Sequence, residues 1–318
     1  MPDPVFGVVL LNWNGAEDTI IALESLLTAT PRPDSIVVVD NGSASASVDQ
    51  IIAWGEEFAP TLHCAAIESE ATPNADVWLT IVRAGANLGF AGGNNLGLKY
   101  LSGRARLSHF LLLNNDAMVA PDYFARLADA LSLAPDAGLV GCTIFHHPER
   151  DRVWFSGARE IPWRALILHR YDHPTGDAPQ PTTFVTGCAM LISRALYDAH
   201  GGLAECFNPI YWEDGDYSFR ARAGGFNLVI APAAHVYHRV RSTGGGGATL
   251  TPRVAFWDNR NRALYVRRNY RGMNRVAAIL YLLITKPGRA VVETLRGRGA
   301  VGGAIIHGFV RGMFDPAA

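Results

Sequence analysis

Over the first third of the chain, short β-branched apolar runs closed by turn residues alternate with segments of helical apolar spacing. That alternation predicts an α/β fold of βαβ units around a mainly parallel central sheet flanked by helices. FGVVLL at Phe6–Leu11 reads as a buried strand, ended by Asn12-Trp13-Asn14-Gly15. A helix follows from about Ala16 to Thr28, with Ile20, Ile21, Leu23, Leu26 and Leu27 as its apolar positions. SIVVV at Ser35–Val39 is the second strand, stopped by Asp40-Asn41-Gly42-Ser43. Next come a helix over Val48–Trp54, a short strand over Trp78–Val82, a helix over Asn94–Leu101 and the strand HFLLL at His109–Leu113, which runs into Asn114-Asn115-Asp116. From about Cys142 to Thr183 the pattern is irregular and rich in proline and paired aromatics, which predicts an insertion or loop-rich region. FVTGCAMLI at Phe184–Ile192 restores a buried strand, a helix begins near Trp212, Leu228–Ile230 is a short strand, and the chain from Phe256 onward is helical and basic.

Each early strand thus ends in a polar cluster. Ligands of open α/β sheets bind outside the carboxyl ends of the strands, so Asn12–Gly15, Asp40–Ser43 and Asn114–Asp116 are expected to line one crevice. Any one of them alone would equally be an ordinary turn.

Composition narrows the class without naming it. With 318 residues, 49% hydrophobic and 18% charged, the chain is an ordinary globular protein, not a disordered, collagenous or coiled-coil one. A formal charge of −1 gives no reason to expect nucleic acid. The charge is uneven, however: from Arg253 onward there are 12 Lys/Arg against 3 Asp/Glu, so tail and body are expected to meet different partners. The four cysteines, Cys64, Cys142, Cys188 and Cys206, are widely spaced, which suits buried thiols in a reducing compartment. Met1–Gly7 lacks a basic signal region, and the apolar run Val276–Thr285 is about half the ~20 residues of a spanning helix. A soluble or peripheral protein is expected.

Several segments carry candidate chemistry. LLLNND at Leu111–Asp116 delivers a carboxylate to the end of a buried strand, where a hard cation such as Mg2+ or Mn2+ can share it with a diphosphate; an N-cap or turn role is the alternative. Glu213, Asp214 and Asp216 crowd three carboxylates beside aromatics, which opposes full ionisation and suits a general base, or else marks an acidic helix start. His235 and His238 offer metal ligands or a structural pair, and Arg241–Gly247 after them reads as a glycine-rich lid. Asn87–Asn95 is a glycine-rich turn opening a helix, without the Gly-Lys-Ser/Thr of a P-loop; its alternative is a tight loop with no ligand.

Together, VVLLNWNG at 8–15, VVVDNGS at 37–43, NLGFAGGNNLG at 87–97, LLLNNDAMV at 111–119, TGCAMLISR at 186–194, WEDGDYSFRARAGGF at 212–226 and APAAHVYH at 231–238 resemble the inverting family 2 glycosyltransferases of GT-A fold, in their rhamnosyltransferase-like and galactofuranosyltransferase-like branch. The resemblance covers about residues 5–242. It implies a nucleotide-diphospho-sugar transferase with a donor half at about 5–120, an acceptor and catalytic half at about 121–252, and a basic, partly apolar helical extension at 253–318. Asn12 and Asn14 are then expected beside the nucleoside, Asp40 at the base or ribose, Asn87, Gly89 and Asn94 under the donor, and Asn115 at the donor site too. Asp116 matches the second acid of the family's D-x-D element and, with His238, is expected to hold Mn2+ or Mg2+; Asn114 replaces the first acid. Asp214 matches the catalytic base, with Gly187, Cys188, Trp212, Glu213 and Asp216 at the acceptor, and Glu213 and Asp216 orienting the acceptor or bracing the base.

The implied reaction moves a sugar from a nucleotide diphosphate to a hydroxyl of a cell-surface or lipid-linked glycan, with dTDP-rhamnose as the leading donor and UDP-galactofuranose or a UDP-hexose as alternatives. A nucleotidyltransferase and a non-catalytic nucleotide-sugar-binding module are the readings from other classes. The tail interleaves Arg260, Arg262, Arg267, Arg268, Arg271 and Arg275 with Phe256, Trp257, Leu264 and Tyr265, a pattern suited to an anionic membrane surface on the cytoplasmic side, to a homodimer contact or to a solvated face.

Overall fold

The computed structural model describes residues 3–66, 77–239 and 250–316, and its organising element is one large mixed sheet. β1 (Phe6–Asn12), β2 (Ser35–Asp40), β3 (Leu62–Ala66), β4 (Leu79–Arg83) and β5 (His109–Asn114) are parallel, in spatial order β3-β4-β2-β1-β5. Period-2 alternation divides their side chains between two cores. Val8, Leu10, Ile36 and Val38 pack under α1 (Ala16–Thr28) and α2 (Ser45–Phe58), while Val9, Val37 and Val39 pack under α3 (Gly89–Ser102).

The second half widens the sheet. After β6 (Ala117–Val119) and α4 (Tyr123–Leu133) come β7 (Ala137–His146), β8 (Val153–Phe155), the hairpin β9 (Ala158–Ile161) and β10 (Leu166–His169), and β11 (Gln180–Pro181). They are followed by β12 (Ala189–Ser193), α5 (Arg194–His200), α6 (Glu213–Ala223) and β13 (Asn227–His238). β12 runs antiparallel between β5 and β7, β13 lies parallel to β7, and β11 closes that edge. β6 pairs with β13, β8 with β7, and β9 with β10 in a separate two-stranded sheet.

Two expectations are corrected here. Irregular structure was expected from Cys142 and a three-residue strand at Leu228–Ile230; β7 instead runs ten residues to His146 and β13 twelve. β7 is buried on both faces up to its last residue, so it has no alternation to read. In β13 the register against β7 shifts between Ala231 and His235, and this irregularity accommodates Pro232. The expected lid at Arg241–Gly247 lies outside the described residues.

Three helices complete the chain: α7 (Pro252–Asn269), α8 (Gly272–Leu295) and α9 (Gly299–Phe314). Thr251 caps α7 by accepting the Val254 amide at 3.3 Å, with Pro252 in the first turn. Ala263, Leu264, Tyr265 and Val266 of α7 share a core with Phe207, Leu282 and Phe309. No helix among the described residues is long and apolar enough to cross a membrane. α9 crosses α7 at Gly308 and Gly312, where an added methyl would run into the carbonyls of Phe256 and Arg260. Gly312→Ala should therefore cost about 1–3 kcal/mol by overpacking. A melting curve would read this as a fall of several degrees, and an unchanged midpoint would contradict the close crossing.

Candidate active site

The parallel register carries three strand ends to one edge: Asn12 lies opposite Asp40, and Leu11 opposite Asn114. Here the expectation for Asn12 is corrected. Its amide nitrogen donates to Asp40 Oδ1 (3.2 Å) and to the hydroxyls of Ser43 and Ser47, while its oxygen accepts from the Gly15 amide and the Thr19 hydroxyl. Fully buried and occupied at both ends, it knots the first two strand-end loops and has nothing left for a nucleoside. Asn14, left-handed at φ 54°, lies above this knot; its backbone amide donates to Ser43 Oγ and its side-chain oxygen accepts from Ala44.

Asn41, which the sequence reading passed over, fastens the glycine-rich turn. Its amide donates to Asn87 Oδ1 and to the Gly89 carbonyl, and its oxygen accepts from Leu88. Gly89 sits at φ +73°, where a side chain would also strike Asn208 and Pro209, so this position requires glycine. Asn94 is buried in α3, and its amide donates to the Phe90 carbonyl of its own helix. Asn115 is partly exposed and donates to Gly15 O and Thr19 Oγ1, fixing the start of α1.

Asp116 and His238 meet across the β6–β13 junction, with Oδ1 and Nε2 3.1 Å apart. The edge of Trp154 closes over the imidazole at 4.8 Å, and its Nδ1 is buried without a partner. Burial disfavours the charged ring, yet Cys188 and Asp116 outweigh it and push the His238 pKa up to about 10. His235, an odd number of residues away on the same strand, points to the other face and meets Phe145 edge-on at 5.1 Å. Among the described residues no group of three His, Cys, Asp or Glu forms a metal cluster. The fit to a divalent cation is therefore two protein ligands, one carboxylate and one imidazole, with its other positions open to phosphate oxygens and water.

Asp214 stands in the first turn of α6, behind two consecutive left-handed residues, Tyr211 (φ 77°) and Trp212 (φ 74°). Such conformations cost on the order of 1–3 kcal/mol each. They are held by Asn261 of α7, whose buried amide donates to the carbonyls of Phe207, Ile210 and Tyr211 at 2.6, 2.8 and 3.0 Å. The turn aims Asp214 at β12: Oδ2 accepts from the Gly187 amide at 3.1 Å and Oδ1 from its neighbour Gly215 at 2.8 Å. Burial raises the Asp214 pKa while these amides pull it back. Glu213, buried beside the Asp214 charge, is pushed well above the usual carboxylate range. The pair therefore separates into a more readily ionised Asp214 and a proton-holding Glu213.

A cleft of about 360 Å³ opens in front of these acids, lined by Ile167, His169, Phe184, Trp212, Asp258 and Arg262 among others. Glu213 Oε2 borders it, buried and without a hydrogen-bond partner. Trp212 also lines it, but its indole is engaged: Nε1 donates to Asp258 at 2.9 Å and the ring packs on Tyr265. Two further expectations change. Asp216 is fully buried, its oxygens taken by Arg220, Arg268 and Asn269, which leaves nothing for an acceptor. Cys188 is buried, raises the His238 pKa and does not line the cleft. Asp258 and Asn261 escaped the sequence reading, and Arg262 was read only as a basic tail position, because α7 looked like an outward-facing helix.

The family model described as "Glycosyltransferase like family 2" matches residues 4–274. An uncharacterized protein of Mycobacterium tuberculosis is 35% identical over 162 residues, 50% of this chain and 57% of that protein, so the chain spans little more than half the length of such relatives. The N-acetylglucosaminyl-diphospho-decaprenol L-rhamnosyltransferase of the same organism is 24% identical over 267 residues, 76% of this chain and 78% of that one. Among solved structures, GalNAc-T7 with UDP, GalNAc and Mn2+ superposes with a TM-score of 0.64 at 14% identity, covering 99% of this chain and 57% of that one. A mannosyltransferase from Pyrobaculum calidifontis with GDP-Man and Mn2+ gives 0.56 at 16% identity, covering 99% and 88%. These structural likenesses establish the GT-A fold.

The two acids yield a direct measurement. Because Glu213 and Asp214 hold their protons more tightly folded than unfolded, they favour the fold below their raised pKa values and cost stability as pH rises through them. A side-chain carboxyl NMR titration should show both midpoints above the ordinary range, with Asp214 the lower. Ordinary midpoints for both would contradict the buried pair.

Proposed function

The chain belongs to glycosyltransferase family 2, and from that premise we propose a metal-dependent, inverting enzyme of the rhamnosyltransferase-like branch. It moves a sugar, with dTDP-rhamnose as the leading donor, to a hydroxyl of a cell-surface or lipid-linked glycan. The distant rhamnosyltransferase relative supports the donor, and the Mn2+ in both solved neighbours supports the cation. Residues 1–252 form the catalytic domain in this reading, and residues 253–318 an extension whose first helix walls the acceptor cleft.

One observation carries the assignment of roles: two consecutive residues join the two centres. The Gly187 amide holds Asp214, while Cys188 accepts the Asn114 amide through its carbonyl at 2.9 Å and acts electrostatically on His238. The base and the metal pair therefore border the same few ångströms of backbone. Asn14, Asp40, Asn87 and Gly89 shape the donor side, with Asn115 at its edge. A divalent cation on Asp116 and His238 would neutralise charge on the leaving diphosphate. Asp214 takes the proton of the acceptor hydroxyl as its oxygen attacks the anomeric carbon from the opposite face, and Glu213 orients that hydroxyl through its unpartnered oxygen. A single displacement of this kind inverts the sugar.

The outward face of α8, with Met273, Val276, Leu280, Ile284, Val291 and Leu295 exposed, completes the reading as a peripheral contact with the cytoplasmic membrane surface. Leu280→Glu with Ile284→Glu should abolish co-sedimentation with phosphatidylglycerol vesicles; undiminished binding would remove α8 from that role.

The chemistry is tested by pairing two variants in donor calorimetry and turnover. Asp214→Asn should lower kcat by about 10²–10⁴-fold with donor affinity kept. Asp116→Ala should lose the Mn2+-dependent part of nucleotide binding. Donor binding lost in Asp214→Asn, or metal dependence kept in Asp116→Ala, would overturn the respective role.

A further inference from the structure

A second cavity, of about 300 Å³, lies behind the acceptor cleft between α7, α8 and α9, and the two share Asp258 and Arg262 as a common wall. Lys286 of α8 lines this second cavity, more than nine-tenths buried, with no hydrogen bond or ion pair among the described residues. Arg262 donates Nε to Ala165 O and Nη2 to Arg164 O, both at 2.8 Å, and forms no ion pair with a carboxylate among the described residues. Arg289 stands at the mouth, half-exposed and paired with Glu293 at 2.8 Å. Facing these three cations is one carboxylate in the lining, Asp258, and one of its oxygens is already taken by Trp212.

Burial and the Arg262 guanidinium push the Lys286 pKa down to about 8, with Asp258 opposing and Arg289 adding to the fall. A buried cation that forms no ion pair is costly, and an apolar residue of similar shape would serve packing better. Convergent Lys and Arg donors around a hollow of this size are complementary to a phosphate or diphosphate, whose several oxygens can meet several donors at once. A lone carboxylate would leave cations unmet.

We propose that this cavity is an anion subsite for a phosphoryl or diphosphoryl group borne by the acceptor, reached from the cleft past Arg262. The proposal rests on the transferase reading for its link to the acceptor, but not for anion binding itself. The sugar hydroxyl then meets Asp214 on one side of the shared wall, while the phosphoryl group meets Lys286 and Arg262 on the other.

The first experiment is calorimetric titration of the full chain with pyrophosphate in EDTA. Lys286→Met should weaken binding at least tenfold, while Asp116→Ala, altered only in the metal pair, should stay within twofold of the parent. Equal binding by Lys286→Met, or loss in Asp116→Ala, would overturn the subsite. A melting point for Lys286→Met at or above that of the parent would show that weak binding is not unfolding.

The second experiment separates an acceptor-borne phosphate from a free anion, by comparing N-acetylglucosaminyl-diphospho-alkyl with the neutral alkyl glycoside of the same sugar. The KM rise in Lys286→Met should be at least tenfold larger for the diphospho acceptor. Equal rises alongside tenfold weaker pyrophosphate binding would make the occupant a free anion and overturn the link to the acceptor. If the parent turns over no nucleotide sugar, the transferase reading fails while the pyrophosphate titration still decides the anion site.

Discussion

The strained turn at Tyr211-Trp212 is the constraint on which the catalytic side depends. Two adjacent side-chain-bearing residues in the left-handed region do not persist unless surrounding contacts over-determine them. Here they are over-determined from one direction: Asn261 gathers three carbonyls, Asp258 takes the indole N–H, and Tyr265 packs on the ring. All three partners belong to α7. The turn decides where α6 begins, and so whether Asp214 meets the Gly187 amide.

Buried charge makes that dependence rigid. Asp216 of α6 is satisfied by Arg268 and Asn269 of α7, and Glu160 of β9 by Tyr265, Tyr270 and Arg222. Breaking such a pair by removing one partner typically costs about 3–5 kcal/mol, because the remaining charge is left buried. The basic character of α7 is therefore largely spent inward. Arg260, Arg262 and Arg267 donate to carbonyls of other elements, and Arg260 also pairs with Asp315. The helix binds acids and carbonyls of its own protein, which frees the outward face of α8 for any external contact.

This explains what the sequence could and could not reveal. Strand ends were legible because a buried apolar run followed by Asn, Asp or Gly has few other meanings, and the first helix and the two strands around it were found within about one residue. The family resemblance singled out His238 over His235, and strand periodicity places the two on opposite faces. The function of individual amides was hidden, since Asn12 at a strand end can serve a ligand or its own loops with the same neighbours in sequence. Lys286 was hidden for a related reason: one cation after an apolar run reads as its polar end, and only tertiary packing buries it without a partner. β7, apolar on both faces, offered no period at all.

The direction of β12 accounts for how the two halves become one site. A parallel strand brings its last residues to the crevice, as β1, β2 and β5 do. β12 runs the other way between β5 and β7, so it brings its beginning, and Ala189 pairs with Leu113 at the same edge. The two residues before it, Gly187 and Cys188, therefore fall where the parallel strands end. The Cys188 carbonyl takes the amide of Asn114 at the end of β5, and the Gly187 amide beyond it is left to bind Asp214. A parallel strand in this position would carry that dipeptide to the far edge of the sheet, and the acids of α6 would have no route to the residues around Asp116.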